Sequence, residues 1–435
     1  MPFFLYFIFY IQIYISLTYK EKIDDDLIKK IQTTATFMLI SNLKNESKIF
    51  SNKQPKVSIV IPVYNEEKNI KSIINSIKFQ TLKEVEILFI DDNSTDESNK
   101  IISKYQKTDE RVKLIKNKSN RGILYNRIYG GLQAKGEYIT FIDADDFYIN
   151  LKTLQFSYEV CTKNNLDFLE FNYYVCDLDK DLKTISEGYL YKKENKTIYY
   201  QVYHQPYIKN SFFHYEEKGD KIEEVVFNKL YSHRQIEKMA EYIGEDIWNQ
   251  HYLYKEDFLM NLALARTAES SMLLSFSGVF HWKNNNDSMS YGIFDLDGSK
   301  LKNPDNTNKK FGDIISILEN CFNLNEEESD SEPLFLKMLQ LLKNIDNMDI
   351  LSKSYHFERI FELCRKIYLW KFLSEKGKKV IEKFMKEIIG FDIPKKLKYS
   401  EFFDKEEDLE DKNKERNIQE NLYKNKSEKG KKRKS

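Results

Sequence analysis

The sequence predicts an α/β protein: a doubly wound, mostly parallel sheet with a helical region appended at its C-terminal end. Three observations carry that prediction. Val57–Val63 (VSIVIPV), Val85–Ile90 (VEILFI) and Tyr138–Ile142 (YITFI) are largely apolar runs rich in β-branched and aromatic residues. That is the texture of strands covered on both faces. Segments with helical spacing separate these runs, and strand-helix alternation of this length implies a parallel sheet. Acidic residues stand at the carboxyl ends of two of the runs, the edge at which doubly wound sheets bind ligands.

Taken in order, Ile70 to Phe79 places Ile70, Ile73, Ile74 and Ile77 on one helical face. Ser94 and Glu97 have capping-box spacing, which predicts a helix from there through Tyr105. Val112 to Ile115 reads as a short strand, and Gly122 to Ala134 as a helix. Leu151 to Glu245 mixes aromatic stretches, such as Asp167 to Val175, with polar loops and offers no motif. Asp257 to Ala268 reads as a helix and Met272 to Trp282 as a strand. From Phe311 to Phe391 the pattern is helical, with apolar stripes in Pro333–Leu342 and Phe357–Phe372. Glu401 to Ser435 is charged or polar almost throughout and reads as a disordered tail. The domain reading is therefore a hydrophobic segment at 1–20, a linker at 21–55, a catalytic-type domain at 56–292, a helical region at 305–395 and a tail at 400–435.

Composition narrows the function classes. Hydrophobic residues make up 41% of the 435, enough for a sizeable core. Lys+Arg and Asp+Glu both count 68, so nothing in the charge balance calls for nucleic acid. Tyr and Phe are abundant and read as core filler. Cys161, Cys176, Cys321 and Cys364 form no CxxC pair and no metal-ligand spacing, so they read as scattered reduced thiols.

Pro2 to Leu17 is an almost unbroken apolar and aromatic run, broken by Gln12. It is short of the about 20 residues a membrane span needs. It also lacks the basic start and small-residue cleavage site of a secretory signal. An anchor, a signal peptide and a buried element all remain open. As an anchor, with Lys20 and Lys22 after the run and no basic residue before it, it would place the rest of the chain in the cytoplasm. A second feature points the same way. Asn93-Ser94-Thr95 is a glycosylation acceptor pattern inside the expected ligand pocket, where a glycan would obstruct binding. Further acceptor patterns stand at Asn45, Asn117, Asn195 and Asn286.

The chemistry is carried by carboxylates at element ends. Asp91 and Asp92 end VEILFI, Asp143, Asp145 and Asp146 end YITFI, and Glu256 and Asp257 open the helix EDFLMNLAL. Asp143-Ala144-Asp145 sets two hard oxygen ligands in one turn, which suits Mg²⁺ or Mn²⁺ bridging to phosphate oxygens. The bland alternative is a solvated acidic loop, and placement after a buried strand argues against it. Asp91 and Asp92 can be turn and capping residues, or Asp92 can accept the ring N–H of a uracil or guanine. Glu256 and Asp257 can be favourable charge at a helix start, or a general base.

VSIVIPVYNEEKNI, LFIDDNSTD and YITFIDADDF, in that order, resemble the inverting family 2 glycosyltransferases of GT-A fold, a Rossmann-like sheet architecture. The resemblance is strong over Val57–Phe147 and weaker to Ser290. It implies that Pro62, Tyr64 and Glu66 line the nucleoside pocket and that Asp92 reads the base. Asn120, Gly122 and Arg127 match an NxGxxxxR element, with the Arg near the donor. Asp143 and Asp145 match a DxD metal motif, with Asp145 ranked first as direct ligand, and Asp257 matches the acceptor-side base. His281 stands where the family often has an aromatic-basic strand. Two departures are visible: Ile128 follows Arg127 where the family has Asn, and Asn284 to Asn286 replace basic residues.

The implied activity is metal-dependent transfer of a sugar, with inversion, from a nucleoside-diphosphate donor to an acceptor hydroxyl. A UDP-sugar is favoured, with Mn²⁺ or Mg²⁺ as cofactor. A glycan, lipid or protein could be the acceptor. Two other classes share parts of this pattern: a non-catalytic nucleotide-sugar-binding scaffold of the same fold, and a nucleotidyltransferase. Retention of both Asp145 and Asp257 speaks against the first. PVYNEEKN, neither Gly-rich nor strongly basic, speaks against the second.

Overall fold

The computed structural model describes residues 54–177, 185–188, 201–213, 225–252, 255–283, 304–343 and 356–386. The Pro2–Leu17 run, the 21–53 stretch, Asn195, Asn284 to Asn286 and the charged tail lie outside them. Among the described residues, no helix is long and apolar enough to cross a membrane. The chain divides into two compact units, Met1–Lys378 and Lys379–Ser435. The sheet and the residues of the candidate site lie in the first.

The parallel half of the sheet is formed by β1 (Val57–Val63), β2 (Val85–Asp91), β3 (Val112–Lys116) and β4 (Tyr138–Phe141), side by side in the order β3-β2-β1-β4. Every residue of β1 and β2 is buried, including Glu86, whose carboxylate accepts from the Ser58 hydroxyl at 2.6 Å and from the Lys135 amide at 2.9 Å. Pro62 is tolerated in this central strand for a geometric reason. Its nitrogen faces β4, and the β1–β4 ladder ends at Val60, whose carbonyl accepts the last bond from Ile142. No ladder donor is therefore lost.

Beyond β4 the sheet changes direction. The four-residue β9 (Lys229–Ser232) runs antiparallel to β4 and to β6 (Phe168–Asp177). The long β10 (Ser270–Lys283) is parallel to β6, and β5 (Phe147–Tyr148) closes that side antiparallel to β10. Two short strands, β7 (Ile185–Gly188) and β8 (Val202–His204), flank β6 and β10. The sheet is thus mixed, with its parallel core where the sequence placed it. β9 lies in the stretch that carried no readable motif.

The helices that matter for function are α1 (Ile70–Lys78), α2 (Ser98–Gln106), α3 (Ile123–Gln133) and α8 (Glu256–Thr267). Between them in the chain come α4 (Thr153–Asn164), α5 (Tyr207–Phe213), α6 (His233–Ile243) and α7 (Glu245–Trp248). The four isoleucines of α1 are fully buried, as their spacing requires. α2 corrects an expectation. It starts at Ser98, not at Ser94, and has no side-chain cap. The Ser94 hydroxyl is taken instead by the Asn65 amide at 3.0 Å, and Ser94's own amide donates to Asp91 Oδ1 at 3.2 Å. The loop after β1 thus competes for the residue that would have capped the helix.

The helical region follows as α9 (Pro304–Asn323), α10 (Glu332–Lys343), α11 (His356–Leu369) and α12 (Glu375–Phe384). Within the first unit it is fastened to the end of α8 through Arg266. That guanidinium donates to Asn325 Oδ1 at 2.7 Å, Asp330 Oδ1 at 2.8 Å and Ser331 Oγ at 2.7 Å, and it stacks on Phe213. Nearer the start of the same helix, Asn320 donates to the Tyr252 hydroxyl at 2.8 Å.

α3 crosses β1 and β2 at Gly130. A Cβ there would sit 2.6 Å from Val60 Cγ1 and 2.8 Å from Ile90 Cγ1, closer than packed carbons tolerate. Gly130→Ala is expected to destabilise the protein by about 1–3 kcal/mol through overpacking. Urea unfolding measures this, and an unchanged midpoint would contradict so close an approach.

Candidate active site

The carboxyl edge of the parallel strands gathers the acidic residues that the sequence placed at element ends. β2 delivers Asp91 and Asp92, and both are buried. Asp91 Oδ2 accepts from Asn99 at 2.8 Å. Asp92 is a latch for the loop that leads into α3. Its Oδ1 accepts from the Arg121 amide at 2.7 Å and from Asn117 Nδ2 at 2.9 Å, and its Oδ2 accepts from the Gly122 amide at 2.9 Å. Gly122 has φ of +86°, which a side chain would strain. A Cβ there would also stand 3.2 Å from the Tyr252 carbonyl. The residue therefore has both a conformational and a steric reason to be glycine. Asn120 accepts from Gly122 N at 3.2 Å and bonds His251 Nε2 at 2.8 Å, which ties this loop to the segment before α8.

The loop after β1 is zipped to the loop after β2. Thr95 N donates to Asn65 Oδ1 at 2.8 Å, Glu66 N to Ser98 Oγ at 2.8 Å and Glu67 N to Asp96 Oδ2 at 3.0 Å. Asn65 and Asn93 both sit at positive φ, which asparagine accepts more readily than most residues. In this arrangement Pro62 is buried, Glu66 is half-buried and accepts from Asn69 Nδ2 at 2.7 Å, and Tyr64 is 42% exposed.

Arg127 is the centre of the site. Only 2% of its side chain is exposed, yet it meets three carboxylates from two other segments. Nη2 donates to Asp143 Oδ1 at 2.8 Å, and Nη1 donates to Glu256 Oε1 at 3.1 Å and to Asp257 Oδ1. Burial alone would favour the neutral form of Arg127, but these carboxylates hold it firmly protonated. Among the chain's own groups, its partners are thus the carboxylates of the expected metal turn and the expected base. Ile128, the departure from the family pattern, is fully buried in the core.

α8 starts abruptly. Lys255, at φ +65°, occupies the left-handed region that residues other than glycine seldom adopt, and Glu256 follows at once in the helix. Burial, then the neighbouring Asp257 charge, push Glu256 up to about 7, with Arg127 opposing. Burial also raises Asp257 from its ordinary value, and Arg127 limits the rise. Asp257 keeps 26% of its side chain exposed, so solvent reaches it.

Asp145 follows Asp143 across the turn. Burial and the carboxylates of Asp146, Asp143 and Glu66 push it up to about 8. Burial is the larger cause, and the neighbouring negative charge is the part that a cation would relieve. Among the described residues no three His, Cys, Asp or Glu side chains form a ready-made cage. Asp146 is buried and meets His281 Nδ1 at 3.0 Å. Burial would lower the His281 imidazole, but the Asp146 carboxylate outweighs it and pushes the ring up to about 9. The imidazole also stacks on Phe227, with centroids 4.7 Å apart. Sequence spacing gave no sign of this pair, because its members lie 135 residues apart. A cavity of about 1140 Å³ lined by Lys56, Glu137, Tyr158 and His233 holds none of these residues.

Residues 58–219 match the family described as glycosyl transferase family 2. An uncharacterized glycosyltransferase of Haemophilus influenzae is 40% identical over 125 residues, 29% of this chain and 50% of that protein. A Campylobacter jejuni GalNAc(5)-diNAcBac-PP-undecaprenol beta-1,3-glucosyltransferase is 38% identical over 93 residues, 21% of this chain and 30% of that protein. The chain thus spans about half the length, or less, of these relatives. Among solved structures, S. aureus TarS 1-349 in complex with UDP-GlcNAc superposes with a TM-score of 0.52 at 18% identity, covering 76% of this chain and 85% of that one. That likeness shows the GT-A fold.

Removing the guanidinium would leave three buried or half-buried carboxylates facing one another. Arg127→Met is expected to cost about 3–5 kcal/mol of folding stability. Chemical denaturation measures it, and a loss below about 1 kcal/mol would mean that water already screens the cluster.

Proposed function

We propose that the chain is an inverting glycosyltransferase that moves a sugar from a nucleoside-diphosphate donor to an acceptor hydroxyl, a reading supported by the match of residues 58–219 to glycosyl transferase family 2. The observation that carries the proposal is the Arg127 bridge, which holds the donor-side carboxylate Asp143 and the acceptor-side carboxylate Asp257 on one guanidinium. A crevice with a cation-hungry turn on one wall and an accessible base on the other suits displacement at an anomeric carbon.

In this reading Asp257 takes the proton of the acceptor hydroxyl as that oxygen bonds to the anomeric carbon. The bond from that carbon to the diphosphate oxygen breaks on the opposite side, which gives inversion. The raised Asp257 carboxyl is a stronger base than an ordinary aspartate, and the Arg127 charge opposes that rise. Pro62, Tyr64 and Glu66 form the nucleoside wall. Asp92 and Gly122 fix the loop carrying Asn120, and a free lone pair of Asp92 can still meet a base N–H. Asp145, with Asp143, would hold Mn²⁺ or Mg²⁺, which supplies charge neutralisation for the leaving diphosphate. The donor we favour is a UDP-sugar, a choice supported by the UDP-GlcNAc complex of the like-folded TarS. Lipid-linked glycans are one acceptor class to try, given the substrate in the Campylobacter relative's name.

The test is transfer from a panel of UDP- and GDP-sugars with Mn²⁺, read as sugar incorporated into acceptor. UDP-sugars are expected to be used in preference. Asp257→Asn is expected to lower the transfer rate by about 10²–10⁴ while nucleotide binding persists. Transfer by that variant at the native rate would remove Asp257 from the mechanism, and preference for GDP-sugars would reverse the donor assignment.

The titrating groups give a second test. Asp145 and Glu256 rise from ordinary values of 3.8 and 4.5 to about 8 and about 7, and His281 from 6.5 to about 9. Through the window these shifts span, the folded state holds more protons than the unfolded one, so cation-free stability falls as pH rises. In chelator, the melting temperature is expected to drop between about pH 6 and about pH 9. Mn²⁺ is expected to raise it more at the alkaline end, where it no longer competes with protons. A flat profile in chelator, or an equal Mn²⁺ effect at both ends, would count against a cation at Asp145.

A further inference from the structure

The proposed chemistry leaves one buried charged pair unused. Lys229 and Glu170 face each other on β9 and β6, 3.6 Å apart, and both side chains are fully buried. A buried ion pair is poor value as a source of stability, because an apolar pair of similar volume commonly serves as well. Its place in the fold suggests another use. β9 runs antiparallel to β4 with Leu230 opposite Thr140, so Lys229, the next residue toward the strand's start, lies at the edge from which β4 delivers Asp143 and Asp145. The ammonium donates to the Val225 carbonyl and, at 3.1 Å, to Asn228 Oδ1. Asn228 in turn donates to the Phe171 carbonyl on β6 at 3.0 Å. These bonds close the Val225–Asn228 turn around Phe227. The Phe227 ring meets Tyr173 edge-on and stacks beneath His281, whose Nδ1 is bonded to Asp146 beside Asp145.

We infer that Lys229, held by Glu170, is a positioning residue for the transfer reaction proposed above, acting through the Val225–Asn228 turn, Phe227 and His281 on the Asp145–Asp146 corner. The inference rests on that reading of the site, but its geometry can be tested without turnover. Lys229→Met alone would strand the Glu170 charge and could prevent folding, so the decisive protein is the paired variant Lys229→Met/Glu170→Leu. An apolar pair of this kind should fold with an undiminished melting temperature. In the full-length native protein, the face of Phe227 should shift the His281 ring-proton resonances upfield, with the signals identified by their loss in His281→Gln. The paired variant is expected to lose that shift, and its transfer kcat is expected to fall about tenfold or more at an unchanged donor KM. Retention of the upfield shift, or a native kcat in the folded paired variant, would overturn the inference. If the native protein transfers no sugar at all, the functional reading fails, and the ring-proton shift still decides whether Lys229 sets the position of His281.

Discussion

The structure depends on one buried guanidinium. Arg127 carries a single positive charge into a place where three carboxylates converge. An isolated ion of either sign would cost several kcal/mol to bury there. Together they are tolerable only if the planar donors meet the oxygens at bonding distance, and that requirement fixes the helix, the metal-type turn and the start of α8 in one arrangement. α3 must therefore sit close on the sheet, and the bare Cα of Gly130 against Val60 and Ile90 is the packing that allows it.

α3 serves both sides of the crevice. Its leading loop is latched to Asp92 at the end of β2 and touches the segment before α8 through Asn120 and His251. One turn into the helix, Arg127 reaches Asp143 and Asp257. A rigid helix thus spans the distance between the wall that would hold a nucleotide and the wall that would hold an acceptor. The parallel half of the sheet supplies the first wall. The second is reached only after the chain has reversed through β9 and returned through α8.

Much of this was legible in the amino acids. VSIVIPV and VEILFI announce strands buried on both faces because apolar residues occupy both alternations of each run, and the acidic residues that follow must then lie at the ligand-binding edge. The four isoleucines of α1 are legible for the same reason, since their spacing matches one helical face. What stayed hidden is non-local. Arg127 gave no hint that two of its carboxylate partners stand 129 and 130 residues away. The capping-box spacing of Ser94 and Glu97 misled because the loop after β1 offered the hydroxyl a better-placed donor. β9 was unreadable because four residues of mixed character have no period, and only their neighbours on both sides make them a strand. For Asp92, sequence could supply the carboxylate but not the backbone amides that fold around it.

The fastening of the helical region has a consequence for how the molecule can be divided. The recognisable family motifs fade near Ser290, which invites the view that everything later is an accessory. Yet Arg266, on the same helix as Asp257, satisfies its guanidinium with Asn325, Asp330 and Ser331. A chain shortened to its motif-bearing part would leave that charge without its oxygens and would bare the apolar flank of α8. The smallest autonomous unit of this protein therefore extends beyond its signature motifs, and a minimal catalytic fragment has to be drawn from the contacts of Arg266 outward.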